Sequence, residues 1–269
     1  VTITANGSIN TGGGSCSGTA CPVTDIFWDG GGGLDKSWFN GLNWSTDTIP
    51  TLSNNVKIDS ADTILIASGA TAQAKSLIAN SGVTVSAGSL QLDNASQISG
   101  LFTLSGGTLT GAGRAAVTGA GGSLVWSGGT MASGGSFLLG GGNSGTLSNA
   151  LTLNRLFDNR GALTLSSASV SGTGSIVNSG LLRATSGTSN ITTSLANVFT
   201  PTVGTIQVSG ASTTLTATSF PTNDGDIVVT NGGTFSTGAN ALAHSATSSL
   251  LVNAGNYTTA GASVATSGG

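Results

Sequence analysis

The chain has 269 residues, only 6% of them charged against roughly 25% in ordinary soluble domains, and its ten acidic residues are all aspartates. The lack of Glu and the scarcity of Lys and Arg argue against extended helix. A net charge of −3 with no basic run excludes a phosphate-binding nucleic-acid surface.

The 44 glycines would suit a flexible linker. Leu, Ile and Val nevertheless recur in short alternating runs and mean hydropathy is positive, whereas disordered segments have low mean hydropathy. No run of 18 apolar residues exists, so no membrane-spanning helix is expected. The chain opens on Val1 without a charged-then-apolar leader, as expected of a mature exported form.

In chain order, VTITANGSIN (residues 1–10) alternates β-branched and polar residues as a half-buried strand does. Its first residues, Val1, Thr2, Ile3 and Thr4, are candidates for adding a strand to a neighbouring copy. GSCSGTACP follows, and a disulfide between Cys16 and Cys21 would close this short loop in an oxidising compartment. A redox-active pair needs C-x-x-C beside a βα unit, and a metal site needs further ligands, of which His244 is the one distant histidine.

FWDGGGGLDKSWFNGLNWSTDTIPTLSNNVKID (residues 27–59) holds Trp28, Trp38 and Trp44, three of the four Trp in the chain. Two readings apply. The Trp cover the first rung of a stacked sheet, which otherwise invites edge pairing. Alternatively they form an exposed platform on which sugar faces stack, with Asp and Asn bonding the hydroxyls.

From Val56 onward short strands follow one another, among them VKID, TILIAS, KSLIAN, VTVSAG, SLQLDN and LFTLSGG, each broken by Gly, Ser, Asn or Asp. LSGGTLTGAG (residues 104–113) returns as WSGGTMASGG (residues 126–135), and NGGTFSTGAN (residues 231–240) as NAGNYTTAGA (residues 253–262). Self-similarity at a fixed period of about 20 residues marks a stacked architecture. The reading is an all-β chain in three parts: strand and disulfide loop over 1–26, Trp-rich cap over 27–55, and a parallel β-solenoid over 56–269. The solenoid has roughly ten turns of about 19–22 residues. Leu, Val, Ile and Ala line its interior, and stacked Thr, Ser and Asn bond up and down the ladder.

The W-x-G-G-G-G spacing with a following W, then N-W, a Pro and N-N-V-x-I-D, resembles the repeat-region entry of bacterial surface proteins of the autotransporter and filamentous-haemagglutinin type. The S-G-G-T-L-x-G-x-G and N-S-G-x-L units look like their solenoid repeats. The resemblance implies a right-handed parallel β-helix, exported to the bacterial surface or beyond, serving as adhesin, stalk or matrix fibre.

Residues suited to catalysis are few. Polysaccharide cleavage on a β-helix needs carboxylates converging on one groove, sometimes with Ca²⁺ or a basic residue, and the candidates are Asp158, Asp224 and Asp226 with Arg183. NDGD (residues 223–226) puts Asp224 and Asp226 on one side if extended, a candidate Ca²⁺ site, though Gly between two Asp is also ordinary turn chemistry. Asp158, between Arg155 and Arg160, reads as a local surface ion pair. No nucleophile constellation is present, and His244 reads as a loop cap.

No charge follows Asp226. An uncharged solenoid end, with Val252 and Tyr257, is expected to template a second copy head to tail. The expected function is therefore non-enzymatic: a cofactor-free structural subunit whose main partner is itself. An adhesin passenger binding glycans or host surfaces is the alternative, and a polysaccharide lyase or hydrolase a more remote one.

Overall fold

A computed structural model describes residues 24–132, 134–200, 202–259 and 262–265. The expected strand over 1–10 and the Cys16–Cys21 loop lie outside the described residues. The rest is an all-β parallel solenoid of about ten turns, without α-helix among the described residues.

Each turn lays one strand on each of three faces. The first face is an 11-stranded parallel sheet that begins with Thr24–Phe27 and Asn54–Ile58 and ends at Ala243–His244. The second runs from Ile64–Ile66 to Ser249–Asn253, and the third from Thr71–Ala74 to Asn256–Thr259. In the middle of the rod a single bent strand serves the second and third faces together, as in Leu101–Thr110, Ser123–Met131, Ser144–Leu153 and Ala162–Ser171.

Alternation fixes which side chains face inward. On the first face Phe137, Phe157, Ile176 and Leu195 stand in one inward column, each fully or almost fully buried. On the second, Leu104 pairs with Trp126, and on the third Leu109 pairs with Met131 and Phe235 with Tyr257. These are the apolar positions of the sequence repeats, so the repeat is the inward column. Aromatic rings cluster in the middle of the core: Phe137 lies 5.9 Å from Phe102 and 5.1 Å from Phe157, and Trp126 stacks on Phe157 at 6.4 Å with an interplanar angle of 6°.

Turn length drifts more than the expected 19–22 residues. Gly145 pairs with Leu163, a step of 18, because the corner between the first and second faces shortens from residues 140–143 to residues 160–161; the ladder regains one residue between Ser148 and Asn149. Asn197 pairs with Asn223, a step of 26, because seven residues separate Asn197 from the second face at Thr205–Ser209, against two between Asn178 and Leu181. The strands hold register while the corners absorb the insertions.

Some corners demand glycine. Gly111 has φ +96°, and a Cβ there would collide with the carbonyl oxygen of Leu92 in the turn below. Gly129, at φ +78°, would meet the carbonyl of Gly107 in the same way. Because successive turns lie only about 4.8 Å apart, a corner that bends toward its neighbour has no room for a side chain.

Candidate functional site

The Trp-rich segment closes the N-terminal end. Trp38 and Trp44 are completely buried and Trp28 is 6% exposed. Their rings meet edge to face, Trp28 to Trp44 at 5.0 Å and Trp38 to Trp44 at 4.8 Å. The Trp44 indole N–H donates to the Trp38 carbonyl at 2.9 Å, and that of Trp28 to Asp62 Oδ2 at 3.0 Å. Asp62 also pairs with Lys36 at 2.9 Å. The Trp28 N–H and the Lys36 ammonium together hold the Asp62 carboxyl below its ordinary value.

Buried Asn43 organises the four-glycine loop: its amide donates to the carbonyls of Asp35 and Ser37, and its Oδ1 accepts from the Gly32 N–H. The backbone of the cap also seals strand edges. Ser45 N–H donates to Phe27 O, Trp38 N–H to Leu65 O and Leu65 N–H to Lys36 O, covering the first strands of two faces. A sugar cannot stack on these three indoles without opening the fold, since their faces are spent on one another. Besides polar residues such as Asp29, Asp35 and Asp47, the cap exposes some apolar ones: Leu34 fully, and Phe27, Leu42 and Ile49 about half.

The C-terminal end is built differently. Leu250 occupies the inward column of the second face directly after Ile206 and Ile227, both fully buried, yet it is 39% exposed. Its neighbour Leu251, on the outward side, is 53% exposed. Val252 is half-buried and packs against the core, and Tyr257 is buried, stacked on Phe235 at 5.8 Å. On the third face an antiparallel strand, Ala262–Ala265, pairs with Asn256–Thr259. Among the described residues no strand pairs with the outer edge of Ala243–His244.

The carboxylates considered for catalysis do not converge. Asp158 is on the first face in an ion pair with Arg160 at 2.7 Å. Arg155 is not part of that pair: it turns inside, where its guanidinium donates to the carbonyls of Ala132, Leu109 and Gly111, and burial pushes its pKa down to about 10. Arg183 is on the second face, its Nε donating to Thr164 Oγ1 at 2.8 Å. Asp224 and Asp226 flank the corner between first and second faces, and Asp226 Oδ1 accepts from Ser249 Oγ at 2.6 Å. Asp158 lies three strands away from that corner along the first face. No group of three or more His, Cys, Asp or Glu suited to a metal ion occurs among the described residues.

The feature sequence reasoning missed is a buried line of asparagines. One inward column of the first face is aliphatic through Ile58, Ala79, Ile98, Val117 and Leu139, then changes to Asn159, Asn178, Asn197 and Asn223, each at most 1% exposed. Each amide donates to the next Oδ1 toward the C-terminus: Asn159 to Asn178 at 2.6 Å, Asn178 to Asn197 at 2.7 Å, Asn197 to Asn223 at 2.8 Å. The second amide hydrogen goes to a backbone carbonyl at or beside a corner, such as Leu181 in the next turn for Asn159 and Gly225 for Asn223. Stacked polar side chains bonding along the rod were expected, but the interior was expected to be aliphatic. The recurring signal was present as Asn two residues before Gly in DNRG, VNSG and TNDG... sequences that read as turns because that dipeptide chemistry normally lies at the surface.

No family model, curated protein or solved structure matches this chain. Among the described residues no helix is long and apolar enough to cross a membrane.

Proposed function

We propose that this chain is a non-enzymatic structural protein of the bacterial cell surface or extracellular matrix, of the autotransporter or filamentous-haemagglutinin-like repeat type, whose copies associate end to end. The observation that carries the reading is Leu250, a core position left 39% exposed at the last described turn while its predecessors are fully buried. A hydrophobic core that reaches solvent at one end favours a partner there. The opposite end offers the exposed apolar side chains of Leu34, Leu42 and Ile49 on the cap, among the exposed aspartates Asp29, Asp35 and Asp47.

The contact is heterologous, C-terminal edge to N-terminal cap, and such a contact repeats without closing. Because the cap already occupies the strand edges of two faces, the joint relies on side chains there more than on a continued backbone ladder. No charged residue follows Asp226, so approach of another copy to this end meets little electrostatic opposition. Electron microscopy of the concentrated chain should show filaments with an axial repeat on the order of 50 Å, from ten turns of about 4.8 Å. Isolated rods at every concentration would overturn the proposal.

A further inference from the structure

The asparagine line has a direction, and His244 stands at its end. His244 follows Asn223 in register, in the place a fifth Asn would take. Asn223 Oδ1 is committed to the Asn197 amide, so Asn223 presents only N–H hydrogens beyond itself, one to Gly225 O and one toward His244 Nδ1 at 3.4 Å. Nδ1 must therefore carry a lone pair, which leaves the ring proton on Nε2, where it faces the Tyr257 hydroxyl at 2.8 Å.

We propose that His244 is an acid-sensitive latch on the last turn of the solenoid, closed while Nδ1 accepts from the asparagine line and released when Nδ1 is protonated. A proton on Nδ1 sets two donors against each other, and Asn223 cannot turn its amide over without breaking its bond to Asn197. The charged ring has an alternative acceptor in Ser248 Oγ, also 3.4 Å from Nδ1, whose own hydrogen is given to Ser245 O. That move draws the ring off the line. Since Tyr257 links His244 to the third face, the loss spreads from the first face to the third.

The titratable or charged groups on the elements packed around the ring are Tyr257, Asp224 and Asp226. Tyr257 stays neutral, its pKa raised by burial. Asp226 is bonded to Ser249, and neither aspartate hydrogen-bonds the ring, so no carboxylate bond to the ring compensates an imidazolium. Desolvation accordingly holds the His244 pKa below its ordinary 6.5. The sign follows: the latch is fully closed above pH 6.5 and weakens as pH falls through the folded value, since the open form binds the proton more readily.

The latch rests on the end-to-end reading only for its biological use, as control of the C-terminal joint; the opening itself belongs to the single chain. The test is hydrogen exchange on dilute monomer between pH 7.5 and 5, corrected for intrinsic rates. Protection in Ala243–His244 and Asn256–Thr259 should fall, by up to about tenfold per pH unit below 6.5, while the turns holding Asn159 and Asn178 stay constant. His244→Asn, which supplies an acceptor that does not titrate, should abolish the response. As His244 is the one histidine, its ring signals titrate unambiguously by NMR even if that variant folds poorly. A midpoint at or above 6.5, pH-independent protection, or an undiminished response in a folded His244→Asn protein would each overturn the latch. A pH-dependent turn in a chain that never assembles would preserve the latch and defeat the end-to-end reading; the converse would defeat the latch alone.

Discussion

Asn178 accepts from Asn159 and donates to Asn197, so removing its amide orphans a buried group on each side. Asn178→Ala should destabilise the solenoid by about 1–3 kcal/mol for each group left unpaired, measured by urea unfolding. Replacing Asn159, Asn178, Asn197 and Asn223 together by aliphatic residues should cost less than the four single changes summed, since the same column is already aliphatic from Ile58 to Leu139 and no amide of the line is then left half-paired, only backbone carbonyls such as Leu181 O and Gly225 O losing a donor. Equal or greater loss in the quadruple variant would contradict this account of the line. Sequence reasoning could place Asn at each corner but could not turn it inward. Inward direction depends on register, and register depends on corners that let the turn length vary from 18 to 26 residues. Arg155 was misread for the same reason: charged residues beside an Asp usually pair with it at the surface, and only the packing of three turns shows carbonyls taking that place.

At the scale of elements, the cap is a packed unit joined to the first turn by hydrogen bonds and one ion pair. Trp44→Ala should cost about 3–5 kcal/mol, because it removes a fully buried ring that touches both other indoles. Acid should loosen the cap from the Asp62 side. That carboxyl is held below its ordinary 3.8, so its contribution is present above that value and lost as pH falls through the folded one. Near-ultraviolet circular dichroism of the Trp cluster should therefore fade below pH 4 in the wild type, and Asp62→Asn should flatten that limb. The existence and place of the aromatic segment were legible from composition, since three Trp in a chain otherwise poor in aromatics stand out. Its inward orientation was one of two readings, and Asn43, which holds the glycine loop, looked like any other Asn before Trp.

At the scale of the whole molecule, the fold was the most legible property, because a solenoid writes its period into the sequence: the paired columns Leu109 with Met131 and Phe235 with Tyr257 are the repeats read directly. The ends were less so, as an end is defined by what is missing above it. The rod presents an N-terminal end capped on two faces and, at its last described turn, a core position open at Leu250, and the proposed assembly rests on that asymmetry. Sedimentation velocity across a concentration series tests this most directly, comparing the wild type with Leu250→Asp after circular dichroism has shown both folded. The account predicts species that lengthen with concentration in the wild type and a monomer throughout in Leu250→Asp. A wild type that stays monomeric at the highest concentration, or a Leu250→Asp variant that lengthens equally, would contradict it.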